Sequence, residues 1–135
     1  MAKLILATLC DDVREEKSGK FSLMSMFDQF LIADFRSPLP SFRVFVQIGF
    51  ETEGSHSLTV EFRRMEGEMM FKAEALQQVT GKNGVTGLYQ ATINFHFDNV
   101  TLPGPGAYEF AIHGDGQHIA TLPVGVLQAP PRLVQ

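Results

Sequence analysis

The chain has 135 residues, a formal net charge of −4, 44% hydrophobic residues and only 19% charged ones. This length suits one domain with a real core, and the composition excludes a disordered chain, a collagen, a disulfide scaffold and a membrane-spanning helix. Lys and Arg are scattered singly apart from Arg63-Arg64, so the basic stripe that a nucleic-acid binder lays along phosphates is missing.

The first predicted strand is Lys3–Cys10. Its apolar run is too short for a secretory leader, Leu9 is the wrong size for a processing site, and Asp11-Asp12 follow at once. With Cys10 as the single cysteine, no internal disulfide can form, and the expected compartment is the cytoplasm. The charged run from Asp11 to Lys20 reads as a solvated connection with Asp caps and internal ion pairs. It lacks the alternating ligands and glycine turn of a calcium loop.

Phe21–Phe35 comes next, with Phe21, Leu23, Phe27 and Leu31 on one side and Met24, Met26, Phe30 and Ile32 on the other. Ser37-Pro38-Leu39-Pro40 then breaks the chain and predicts a crossover between sheets. In Ser41–Phe50, the residues Phe42, Val44, Val46 and Ile48 share a face, while Arg43, Phe45 and Gln47 share the other. One sandwich supplies one core, so the second apolar face of Phe21–Phe35 needs separate cover. A loop of the same chain, a register-flipping bulge near Ser25 and Gln29, or a second protein each satisfies that need.

Ser57–Arg64 and Met69–Leu76 form a predicted hairpin about Glu66-Gly67, pairing Phe62 with Phe71, Glu61 with Lys72 and Val60 with Ala73. Gly81-Lys82-Asn83-Gly84 lacks the spacing of a phosphate-cradling loop and reads as a turn. Leu88–Asp98 alternates, with Tyr89, Ala91, Ile93, Phe95 and Phe97 facing the core and Gln90, Thr92, Asn94, His96 and Asp98 facing water. Pro103-Gly104-Pro105-Gly106 forces a turn before Ala107–His113. Asp115-Gly116 is a type I′ signal joining that strand to His118–Val126, with Ile112 set opposite Ile119 and His113 opposite His118.

The expected fold is therefore an all-β, antiparallel two-sheet β-sandwich of about eight strands, immunoglobulin-like or jelly-roll-like. Residues 1–127 make one domain, and 128–135 a short Pro-containing tail.

Chemistry is sparse. There is no Gly-x-Ser-x-Gly elbow, and Gly104 and Gly106 do not continue into a dinucleotide fingerprint. Cys10, among apolar residues, reads as a buried and inert thiol. No catalytic residue and no cofactor is expected. His113 and His118, with His96 on a neighbouring strand, are the candidate metal ligands of an alternative reading as a small-ligand or divalent-metal domain. The first reading is a non-enzymatic protein-interaction module that self-associates or docks on another protein. Its candidate interface is Met24, Met26, Phe30, Ile32 and Phe45, since methionine suits an adaptable contact face.

The segment Cys10-Asp11-Asp12-Val13-Arg14-Glu15-Glu16, followed by Gly19-Lys20-Phe21-Ser22-Leu23-Met24 and Phe27-Asp28, resembles a family of small bacterial β-sandwich proteins known only as a domain of unknown function. Pro40-Ser41-Phe42, Tyr108-Glu109-Phe110 and the strand Ile119–Val126 are similar in order and length. The resemblance implies a β-rich bacterial or bacteriophage-associated protein. It implies no reaction, cofactor or catalytic residue, and it leaves Asp12 and Arg14 as a structural ion pair.

Overall fold

The computed structural model describes residues 2–130, and all regular structure in that range is strand. There are ten strands: β1 (Ala2–Cys10), β2 (Asp12–Glu15), β3 (Phe21–Met24), β4 (Gln29–Ile32), β5 (Phe42–Phe50), β6 (Gly54–Arg64), β7 (Met69–Val79), β8 (Tyr89–Phe97), β9 (Gly106–Gly114) and β10 (Gln117–Gln128). They form a three-stranded sheet, β1-β5-β8, and a five-stranded sheet, β4-β10-β9-β6-β7, with β2 and β3 as a separate hairpin. The orders β1-β5-β8 and β7-β6-β9-β10 reproduce the A-B-E and C′-C-F-G connectivity of an immunoglobulin sandwich. β4 departs from the antiparallel expectation: it lies parallel to β10, pairing Gln29 with Gly125 and Ile32 with Gln128. Among the described residues, no helix is long and apolar enough to cross a membrane.

The alternating patterns close the core as expected on β6 and β8. Leu58, Val60 and Phe62 from β6 meet Ala91, Ile93, Phe95 and Phe97 from β8 across the interior. The aromatic rings run through it in sequence. Phe62 stacks on Phe71 at 5.0 Å, Phe71 contacts Phe97 at 5.2 Å, and Phe97 stacks on Phe42 at 5.3 Å, joining the two sheets. The β6–β7 register is the predicted one at Val60–Ala73, Glu61–Lys72 and Phe62–Phe71, and a bulge then brings Arg63 opposite Met69. In the β9–β10 hairpin, Asp115 and Gly116 both take positive φ (51° and 80°), as a type I′ turn requires. His113 faces His118 as expected, but a bulge at Ile119 places Ala120, not Ile119, opposite Ile112.

Both predicted chain breaks carry the chain from one sheet to the other, β4 to β5 and β8 to β9. The second is pinned by Tyr108, whose hydroxyl donates to the Gly104 carbonyl at 2.7 Å while Arg64 Nε donates to the hydroxyl oxygen at 3.3 Å. A tyrosine at the start of this strand bonding back to the preceding corner is a hallmark of immunoglobulin-type sandwiches.

The N-terminal third differs most from the sequence reading. Asp12–Glu15 is a strand, not a solvated connection, and it pairs with β3 from Asp12–Met24 to Glu15–Phe21. Asp12 forms its ion pair with Arg43 on β5 (3.3 Å), and Arg14 instead sits opposite Ser22. Phe21–Phe35 is not one strand: Ser25, with φ of 56°, interrupts it between β3 and β4. The β2–β3 hairpin lies over the outer side of β5, where the Phe21 ring meets that of Phe45 at 5.3 Å. Phe45 is 1% exposed on a face that a two-layer sandwich would leave wet.

That burial is directly testable. Phe45→Ala should lower the unfolding free energy by about 3–5 kcal/mol in a urea titration, as for other buried Phe truncations. A loss within about 0.5 kcal/mol, typical of an exposed site, would mean the hairpin does not cover it.

Candidate interaction surface

The interface expected from sequence is split by the structure. Met24 and Met26 are exposed, Met26 at 64%. Phe30, Ile32 and Phe45, expected on the same contact face, are buried by the chain's own packing and are corrected to core residues. Met26 still points outward and Phe27 inward after Ser25, and the alternation reverses between Phe27 and Phe30, so that in β4 Phe30 and Ile32 point inward and Gln29 and Leu31 outward. Phe30 then packs edge-on against Phe27 and Phe42, at 5.1 Å from each. Leu31, assigned from sequence to the opposite side, emerges 66% exposed, beside its register partner Leu127 at 47%.

Leu31 lines a groove of about 210 Å³ between β4 and the start of β5, together with Phe27, Phe30, Leu39 and Phe42 and the polar residues Asp11, Gln29 and Ser41. Asp11 reaches it from the end of β1, where its backbone N–H donates to the Met24 carbonyl at 2.9 Å. The groove exists because β1 leaves the sheet here. Phe27 N–H donates to the Leu9 carbonyl, and past Cys10 the chain turns away into the hairpin. On the other side of β4, Gly125 N–H donates to Asp28 C=O at 3.0 Å and Ala129 N–H to Ile32 C=O at 2.9 Å. Peptide groups alternate along a strand, so these bonds fix the phase. Asp28, Phe30 and Ile32 address β10, whereas Gln29 and Leu31 turn their N–H and C=O groups to the open edge.

The three histidines considered as metal ligands are not brought together. His113 and His118 face each other across β9–β10, their ring centroids 5.5 Å apart, on the outer side of the five-stranded sheet. The strand beside β9 there is β6, which sets Thr59 opposite His113. His96 stands on β8, on the outer side of the other sheet, 3.3 Å from Asp98. His113 Nε2 is enclosed and lies 3.5 Å from a Glu61 carboxylate oxygen, while His118 Nε2 is 2.9 Å from Thr121 Oγ1. Among the described residues, no group of three His, Cys, Asp or Glu side chains is placed to hold a metal ion. Cys10 is buried, and burial pushes its thiol up despite the opposing charge of Arg43.

The histidine with the most developed surroundings is one the sequence reading passed over. His56, 9% exposed, stacks flat on Phe50 with ring centroids 4.0 Å apart. Its Nδ1 lies 2.6 Å from an Asp115 carboxylate oxygen, and its Nε2 lies 2.8 Å from the Thr52 carbonyl. The carboxylate and the carbonyl both accept, which favours the doubly protonated ring, and the Thr52 hydroxyl lies 3.4 Å from Nε2. Asp115 is fixed in turn by the Ser57 N–H at 2.9 Å. Burial alone would lower the pKa of His56, but the hydrogen bonds to Asp115 and Thr52 and the Asp115 charge outweigh it and hold the pKa above the ordinary 6.5. Burial would likewise raise Asp115, yet His56 and the Ser57 N–H hold it below the ordinary 3.8. A raised histidine stabilises fully below its unfolded value, and this contribution fades as pH climbs through the folded value; a lowered aspartate does the reverse on the acid side. The stability advantage of the wild type over His56→Gln should therefore be greatest between pH 3.8 and 6.5 and shrink above and below that window. Thermal melts from pH 3 to 9 measure it, and an advantage that grows toward pH 9 would refute the imidazolium assignment.

No curated protein matches the chain by sequence. Among solved structures, β-glucosidase from Listeria innocua is similar at TM-score 0.47 and 12% identity, over 76% of this chain and 15% of that one. A bacterial adhesin from Mobiluncus mulieris, containing intramolecular disulfide, isopeptide and ester bond cross-links, is similar at TM-score 0.49 and 10% identity, over 93% of this chain and 57% of that one. The chain thus spans a small part of the enzyme and just over half of the adhesin chain. A family model matches residues 5–127, nearly the whole sandwich and its hairpin, and the chain accordingly belongs to DUF6941, a family of unknown function.

Proposed function

We propose that the chain is a non-enzymatic β-sandwich module that binds protein, by self-association or by docking on a partner, through the corner formed by the β2–β3 hairpin and β4. The observation that carries this reading is the exposure of Leu31, at 66%, on a groove walled by Phe27, Phe30, Leu39 and Phe42, with Met26, at 64%, next to Phe27 in the chain. Apolar residues scattered singly over a surface need no explanation, but contiguous ones mark contact sites. Here Met24, Met26 and Phe27 follow one another along the chain into the groove, and Leu31 and Leu127 pair across adjacent strands at its rim. Phe30, Ile32 and Phe45 support the corner from beneath and are not themselves contact residues.

The test is mass by light scattering over a concentration series, together with affinity capture from the native host. Wild type should show a concentration-dependent mass or retain a specific protein. Met26→Glu should weaken either by at least about tenfold, as expected for a charge placed in an apolar contact. A protein monomeric at every concentration, whose capture is unchanged by Met26→Glu, would remove the proposal.

A further inference from the structure

We infer that the open edge of β4 is a strand-addition site: it takes an extended peptide of a partner protein, with aliphatic side chains at alternate positions and a basic residue at one flank. The inference rests on the interaction reading above and specifies the partner's chemistry.

Three features identify the occupant. The first is the phase of β4, which leaves the N–H and C=O groups of Gln29 and Leu31 facing outward, a pattern that an added backbone strand satisfies. The antiparallel bridge between Leu9 and Phe27 sets the direction, since a strand continuing the line of β1 runs antiparallel to β4. The second is the groove beside that edge. Its volume of about 210 Å³ and its Phe27, Leu39 and Phe42 walls suit single aliphatic side chains, whereas a helix is about 10 Å across. The third is charge. Asp11 lines the groove and brings a carboxylate to it, which favours a cationic flank.

Two other sheet edges, β1 and β7, are blunted where this one is not. β1 carries a bulge between Leu4 and Leu6, and β7 presents Lys72 and Glu74 along its outer side. β4 presents Leu31 instead.

The experiment titrates isotope-labelled full-length protein with the synthetic peptide Lys-Val-Thr-Val-Thr-Val-Lys, following amide shifts and hydrogen exchange. A second peptide is N-methylated at the alternate residues that would address β4. Binding should shift the Gln29 and Leu31 amides and slow their exchange. N-methylation should weaken affinity at least tenfold, and Asp11→Lys should weaken the unmethylated peptide severalfold. Leu31→Pro should abolish binding, and the methylated peptide gives the same information on unaltered protein should that variant not fold. The inference is overturned by the absence of shifts at millimolar peptide or by equal affinity of the two peptides. It is also overturned if the Gln29 and Leu31 amides are already protected in free protein and lose protection on removal of residues 131–135, since the occupant is then the chain's own end. Protection rising with protein concentration alone makes the occupant a second copy and equally overturns it. If the peptide leaves these amides untouched while Met26→Glu still disrupts association, strand addition fails and the interaction reading stands.

Discussion

β5 is buried on its inner face and carries a buried phenylalanine, Phe45, on its outer one, and most of what is unusual in this molecule follows from that. As the central strand of the three-stranded sheet, it turns Phe42, Val44, Val46, Ile48 and Phe50 into the core. An immunoglobulin sandwich asks no more of it. Its outer face, however, carries Phe45 and lies beside the buried Cys10 of β1. Removing a phenylalanine side chain from water is worth about 1.5–3 kcal/mol, and the chain obtains that here by inserting a hairpin between its first strand and the rest of the fold. The β2–β3 hairpin is thus a third layer with a physical task, anchored by Phe21 on Phe45 and by the Asp12–Arg43 ion pair.

Inserting that hairpin has a consequence for the sheet edges. The chain must leave β1 at Cys10 to build the hairpin and re-enter at Phe27 beside Leu9, so β1 cannot continue along the line it would otherwise follow next to β4. The exposed methionines lie on the return path, and the open edge of β4 lies just after it. The cover for β5 and the incomplete edge of β4 have the same structural origin.

How legible this was in the sequence varied with the range of the interactions involved. The β6–β7 register was readable because Glu61–Lys72 and Phe62–Phe71 are complementary pairs close to a turn. The alternation in Tyr89–Phe97 was readable because one face is wet. Ile119 was misplaced by a bulge, which leaves no compositional mark in an otherwise regular strand. Asp12–Glu15 was hidden because its strand character comes from backbone pairing with β3 and from the cover its hairpin gives to Phe45, not from an alternating pattern of its own. Periodicity carries Phe30 and Ile32 in the wrong phase because the alternation reverses between Phe27 and Phe30, at Asp28-Gln29, where no glycine or proline marks the break. His56 was passed over for a different reason: its partner Asp115 is 59 residues away, brought to it by the turn between β9 and β10.

The two ends of β5 are finished in opposite ways. At Phe50, the side chain of His56 lies on the phenylalanine ring and ties the loop after β5 to the β9–β10 turn through Thr52 and Asp115. A largely buried ring satisfied on both nitrogens is costly to disrupt, because opening the end leaves its N–H groups without their acceptors. At Phe42, closure is by apolar contact: Phe30 and Phe97 pack against the ring, Leu39 lines the slot beside it, and among the described residues no strand fills that slot. A polar clamp fixes geometry and tolerates no substitute partner, whereas an apolar groove with outward peptide groups accepts any backbone of suitable side chains. On the interaction reading proposed above, a strand added beside β4 would extend the fold at the Phe42 end, away from the His56–Asp115 clamp at the Phe50 end.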